Sequence, residues 1–150
     1  MRNWEQLTDL ANTEYQNEKY QIALGFYEAA LESVDLSAKQ LSGEPESTIA
    51  ALTVSHLNLV SLYATLNKRE MANRQFEKAM YALITLLSPK MPSEQVGHCT
   101  LKACNQINLE WANYINLHSE KMADSSIQRY IDANQALLST TKQLTYKTLH

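Results

Sequence analysis

The 150-residue sequence is poor in chain breakers, with three glycines and three prolines, and poor in cysteine, with two. So few glycines and prolines leave little room for turns, which argues for long regular elements rather than a loop-rich chain. Two cysteines only five residues apart, Cys99 and Cys104, exclude a disulfide framework and agree with a reducing compartment. No uninterrupted apolar run approaches the roughly eighteen residues of a membrane span, and the N-terminal MRNWEQLTDL lacks the apolar core of a secretion signal. A cytoplasmic location and no membrane partner are therefore expected. There is no dense stripe of Lys and Arg either, and without one phosphate neutralisation fails, so nucleic acid is not an expected partner.

What is present is the composition of a folded chain: 45% hydrophobic and 19% charged residues. The length is that of one domain, long enough to bury about 68–70% of its unfolded surface. The net charge of −3 is unevenly spread: residues 1–50 carry net −6, residues 51–100 net +2 and residues 101–150 net +1. An acidic first third can meet a basic partner, or it can be a solvated helix face.

A repeated spacing organises the chain. In LVSLYATLNKREMANRQFEKA, residues 59–79, Leu59, Tyr63, Ala72, Phe76 and Ala79 are separated by four, nine, four and three positions. Threes and fours place side chains on one helical face, and the jump of nine carries the chain round a turn into a second helix. Small Ala72 and Ala79 permit close approach of the two helices, while Tyr63 and Phe76 fill the volume between. Asn67, with Glu70 three positions on, reads as the cap that starts the second helix. At an offset of 49, Leu10, Ala23, Tyr27 and Ala30 repeat the pattern, and at 51 Tyr114, Ala123, Ile127 and Tyr130 repeat it more loosely.

This spacing resembles the tetratricopeptide repeat, whose signature is an aromatic or Leu on the first helix and A-x3-F-x2-A on the second. ALGFYEAAL at 23–31 and ANRQFEKAM at 72–80 carry the resemblance, and Trp4 stands where the signature expects an aromatic at the start of a hairpin. Tetratricopeptide units recur every 34 residues, whereas these recur every 49 to 51, so the helices and linkers here are longer. The resemblance implies an all-α fold: three antiparallel helical hairpins, about 3–42, 47–88 and 93–145, in one α-α superhelix. The chain is also similar to a set of short, uncharacterised proteins of vibrio-type gamma-proteobacteria, which brings no activity with it.

The expected breaks follow the punctuation. SGEPES, with Gly43 and Pro45, stops the second helix near Ser42; SPKMPS at 88–93 ends the second hairpin; Ser93 caps a long helix over roughly 94–118. The last helix begins near Asp124, with Ile127, Tyr130, Ile131, Leu137, Leu138 and Leu144 expected inward.

Chemistry-bearing residues are sparse. His98, Cys99 and Cys104 are the one conceivable metal cluster, but five residues of helix turn the two thiols about 140° apart, away from convergence. No metal, cofactor or catalytic residue is expected, since the chain has no G-x-S-x-G, no Gly-rich phosphate loop and no H-E-x-x-H. His56 lies on an apolar face and reads as a packing histidine. Glu28 and Glu32 share a face but flank an apolar stripe, so solvent rather than general acid/base work explains them. Gly25, inside a helix, admits either close approach of a backbone or ligand, or simple tolerance.

In the family resembled, the first helix of each unit lines a concave groove that binds extended or helical peptides. Carried over, the groove takes Glu5, Thr8, Asn12 and Gln16, then Val54, Leu57, Asn58, Ser61 and Thr65, then Asn105, Asn108, Ala112 and Asn116. The set is amide-rich and suits a peptide backbone, with Val54 and Leu57 as an apolar anchor. Relatives that grip a terminal carboxylate use two asparagines and three bases. Asn12 and Asn58 match the asparagines, but Thr8, Asn105 and Leu109 replace the bases, so that role is not expected. The expected function is a non-enzymatic adaptor for a protein or peptide. The alternatives are a small acidic chaperone similar to those of type III secretion, or a homodimer formed through Trp111, Leu117 or the last helix.

Overall fold

Two turns, 49 residues apart, share one backbone geometry. In each, a residue outside glycine sits in the left-handed region, Glu18 at φ 59° and Asn67 at φ 57°. Lys19 N–H donates to Glu14 C=O at 2.9 Å and Glu18 N–H to Tyr15 C=O at 3.0 Å; Lys68 and Asn67 repeat the pair on Tyr63 and Ala64 at 2.9 and 3.0 Å. This is the Schellman arrangement, which satisfies carbonyls orphaned at a helix C-terminus. Asn67 therefore closes the helix before it rather than capping the one after it. Its short polar side chain tolerates the left-handed conformation, which is the property that counts at this position. Glu70 pairs with Arg74 at 3.1 Å on the surface.

The computed structural model describes residues 2–40, 44–87 and 93–149, and they form an all-α fold. Its helices are α1 (Arg2–Gln16), α2 (Tyr20–Gln40), α3 (Pro45–Thr65), α4 (Arg69–Leu86), α5 (Glu94–His118) and α6 (Asp124–Leu149), with a 3-10 turn at Ser119–Lys121. No strand occurs among the described residues. Pro45 opens α3 at its first turn instead of stopping α2, because a proline there lacks only an N–H that would have no partner. Ser93 caps α5 as expected, its hydroxyl accepting from Val96 N–H at 3.2 Å. The expected end of α2 at Ser42, with Gly43, and residues 88–92 of SPKMPS lie outside the described residues.

The chain divides into two compact units, Met1–Gln75 and Phe76–His150, the division falling inside α4. In the first unit Ala23 and Ala72 have no exposed surface, and Tyr27, Ala30, Leu59 and Tyr63 are buried with them. Tyr27 O–H donates to Asn12 Oδ1 at 2.5 Å across the α1–α2 hairpin. Gln75 Nε2 lies 2.8 Å from His56 Nδ1 across the α3–α4 hairpin, so His56 is the packing histidine its apolar face suggests. Two further bonds join α1 to α3: Trp4 Nε1 donates to Ser55 Oγ at 2.6 Å, and Tyr15 O–H meets Thr65 Oγ1 at 2.6 Å. The start of α1 meets the middle of α3 and its end meets the end of α3, so α1 and α3 run in the same direction, each antiparallel to its own partner helix. Thr53 meets its burial by donating to Ile49 C=O at 2.8 Å.

α3 is long and apolar enough to cross a membrane, yet 61% of its most apolar window is buried inside the protein. Packing on nearly every side accounts for its composition.

The second unit is built on aromatic rings. Phe76 stacks on Trp111 at 5.9 Å between centroids and tilts against Tyr114 at 5.7 Å, while Tyr130 meets Trp111 edge-on at 5.2 Å. Trp111 is fully buried, which removes it from any dimer surface. Arg129 reaches Glu77 at 3.0 Å beside this core. Phe76, Ala79 and Tyr114 pack inward as their spacing predicts.

Ala123 does not. It is exposed, preceding α6 with its carbonyl accepting from Ser126 and Ile127. The inward small residues of α6 are Ser126 and Ala133, with Tyr130 between them against Trp111, so the third copy of the spacing is S-x3-Y-x2-A, three residues later than expected. Ile127 is thereby only half-buried. Ile131 and Leu138, one position past the inward row at Tyr130 and Leu137, are turned outward by about 100° and are exposed.

Gly25 is exposed in mid-α2, and a Cβ built on it meets nothing within 4 Å. Close approach therefore does not explain it. Gly25→Ala is expected to raise stability by about 0.5–1 kcal/mol, read as a higher urea midpoint at unchanged slope. Glu18→Gly is expected to stabilise by a similar amount, on the order of 0.5–1 kcal/mol, by removing the left-handed penalty, and Asn67→Gly by less. Loss of stability in Glu18→Gly would show that the turn is held by the side chain and not by its backbone.

Candidate functional site

Beyond its first turn, α3 is enclosed by its neighbours except along one stripe. Ala50, Val54, Ser61 and Thr65 are exposed at spacings of four, seven and four, and Leu57 and Asn58 fill the gap half-buried. From Val54 on, every residue of this stripe is one that the repeat alignment assigns to the groove. Beside it, α1 presents Glu5, Asp9, Asn12 and Gln16 to solvent, again at threes and fours. The bonds from Trp4 to Ser55 and from Tyr15 to Thr65 hold both ends of α1 against the C-terminal half of α3.

Hydrogen bonds fix which polar groups of this face remain for a ligand. Thr65 Oγ1 donates to Ser61 C=O at 2.9 Å, so its single proton is committed and Tyr15 O–H is the donor in the bond between them. Asn12 accepts from Tyr27 through its carbonyl oxygen, which orients its amide N–H donors outward. Val54, 41% exposed, is the apolar point on this face. Burial pushes the Tyr27 hydroxyl pKa up, Tyr15 adding to it, and burial raises that of Tyr63 likewise, helped by the Glu28 carboxylate. Both phenols stay protonated, Tyr27 as the donor to Asn12.

Thr8 is a correction. It is buried, and its Oγ1 has no partner among the described residues, so it lies beneath the face instead of on it. The 3–4 spacing of α1 puts Asp9 there in its place, a residue the family alignment passes over. Ala50 was missed for the same reason, although it starts the α3 stripe.

Asn105, Asn108, Ala112 and Asn116 belong to α5, in the second unit. Asn105 and Asn116 are exposed; Asn108 and Ala112 are half-buried, and Asn108 turns its Oδ1 into the protein without a partner among the described residues. Between Asn105 and Asn116 on the same face stands Leu109, 63% exposed.

The thiols do not converge. Cys104 is fully buried, Cys99 is half-exposed, and His98 faces solvent. No group of three metal-ligating side chains occurs among the described residues. Burial pushes the Cys104 thiol up from 9.0 to about 12, which keeps it neutral and unreactive.

Native protein is expected to be alkylated at Cys99 and spared at Cys104, read by mass spectrometry. Between pH 9 and about 12 the folded state holds the Cys104 proton that the unfolded chain releases. The contribution of the protonated thiol is therefore complete below pH 9 and is lost as pH rises, by about 1.4 kcal/mol per unit. Tyr27 and Tyr63 act in the same direction. Denaturation midpoints across this range should fall less steeply in Cys104→Ala than in wild type; identical slopes would contradict the assignment.

No curated protein and no solved structure matches the chain. A family model described as "Protein of unknown function (DUF2753)" matches residues 2–146, nearly the whole length, and the chain belongs to that family.

Proposed function

We propose that this protein is a non-enzymatic interaction module that binds a protein segment on the solvent-facing stripes of α1 and α3. The observation that carries the reading is the state of α3: a helix buried on all other sides leaves open one stripe, and that stripe holds Val54, Leu57, Asn58 and Ser61. The parallel packing of α1 and α3, at nearly the offset at which the sequence pattern recurs, supports the tetratricopeptide resemblance. That family uses the corresponding helices to bind peptides.

The chemistry of the face describes its partner. Asn12 and Asn58 offer amide groups to a peptide backbone, Val54 and Leu57 accept an apolar side chain, and Glu5 and Asp9 favour a base beside it. A terminal carboxylate is disfavoured by those two acids. Cys104 is a neutral core thiol and His56 packs against Gln75, so neither is presented to a substrate, which supports a role without catalysis.

The test is affinity capture from the source cell with wild type beside Val54→Asp/Asn58→Glu and an α2 control, Gln21→Glu, followed by titration of each purified partner. The face variant is expected to weaken binding at least tenfold, an effect of about 1.4 kcal/mol or more. It should keep the thermal midpoint to within a few degrees, since Val54 is exposed and Asn58 is only half-buried. Rising salt should weaken wild-type binding as the acidic residues are screened. Equal recovery by wild type and the face variant would end the proposal. Recovery of an aggregation-prone apolar protein, and of nothing else, would favour the chaperone reading.

A further inference from the structure

We propose that the exposed face of α5 pairs with the same face of a second copy of this chain, antiparallel, about a two-fold axis at Asn113. Leu109 and Leu117 are 63% and 79% exposed, the two most open large apolar side chains among the described residues. They stand four residues before and four after Asn113, itself exposed, on one row of the helix. Solvation of two leucines on one face of a regular helix is the feature that calls for a cover.

The pattern is self-complementary. A two-fold interface requires that if residue i meets residue j, then j meets i. Centring the pair on Asn113 sets Leu109 against Leu117 of the second copy, twice, and brings the two Asn113 side chains together at the axis. An asparagine amide carries both a donor and an acceptor, so two of them related by a two-fold axis can each donate N–H to the other's carbonyl oxygen. A slip along the helix would set each amide against a leucine and leave it unpaired, so this one polar position fixes the register.

Charge selects the direction. Exposed Lys102 lies toward one end of the face, and exposed Glu120 and Asp124, with Lys121 between them, lie beyond the other. Antiparallel pairing brings each Lys102 toward the net-acidic end of the partner copy, whereas parallel pairing would set Lys102 against Lys102. Glu110 comes level with Asn116, so no like charges face each other.

One helix face is smaller than the roughly 800 Å² per partner of a stable interface, so association in the micromolar range is expected. The proposal is independent of the α1–α3 face, and Leu117 is no part of that face, so each can fail alone.

Sedimentation equilibrium of the pure full-length chain from low micromolar to near-millimolar concentration is the first test. The mass is expected to rise from 17.0 kDa toward twice that value. Leu117→Glu should remain monomeric throughout with an unchanged circular-dichroism spectrum, its site being open to solvent. In a Cys99→Ser background, Asn113→Cys should form an interchain disulfide under mild oxidation much faster than Ser125→Cys, a change at another exposed position. A monomeric wild type, dimerisation of Leu117→Glu equal to wild type, or crosslinking of Asn113→Cys no faster than Ser125→Cys would each overturn the proposal. A monomer that binds some other molecule on this face would overturn it too.

Discussion

The fold depends on small side chains at the points where paired helices come closest. Ala23, Ala30, Ala72, Ala79, Ser126 and Ala133 are all essentially without exposed surface, each pair of them set around an inward aromatic ring, Tyr27, Phe76 or Tyr130. The short residues let the backbones approach, and the rings fill the space that opens between approaches. Neither half works alone. Rings without the small residues would hold the helices apart, and small residues without the rings would leave voids that an interior at crystal-like density does not tolerate.

That constraint is also why so much of the fold is legible in the sequence. A small-x3-aromatic-x2-small pattern gives both the inward face and the sense of the hairpin, and it placed Ala23, Tyr27, Ala30, Ala72, Phe76 and Ala79 correctly. It failed in α6 because serine can take the place of alanine. Ser126 is as short as alanine in packing terms, and burial of its hydroxyl is possible on a helix whose own carbonyls accept. Ile131 and Leu138 add to the error: apolar residues adjacent to the inward row look inward when counted by composition, and helical geometry alone turns them out. Asn67 failed for a different reason. A residue suited to start one helix is equally suited to end another in the left-handed conformation, and only the backbone distinguishes these uses.

The site was legible in proportion to how strongly packing constrains each helix. α3 has neighbours around most of its circumference, so its exposed stripe is determined by elimination, and Val54, Ser61 and Thr65 fall on it. α1 is constrained on fewer sides. There Thr8, polar and next to the true stripe, was indistinguishable from a surface residue until its burial was known, and Asp9 holds the outward position. The hydrogen bonds that join Thr65 to Tyr15 and orient Asn12 span 50 and 15 positions, distances over which no local pattern carries information.

The two outward surfaces then differ in kind because their helices are solvated differently. On α3, the exposed stripe is narrow and bounded by buried residues, so its polar groups are few; Thr65 is held by Ser61 C=O and Tyr15 O–H, and the acids of α1 lie alongside. Such a surface exposes little apolar area, so covering it gains little unless a partner matches its polar groups. On α5 the exposed face is broader and carries Leu109 and Leu117 in the open, so covering it removes apolar area from water whatever the partner's fine chemistry. The proposed recognition uses the first kind of surface and the proposed assembly the second. A chain built from one repeated hairpin spacing can carry both kinds of surface because the repeat dictates only the inward row and leaves the outward rows free to diverge.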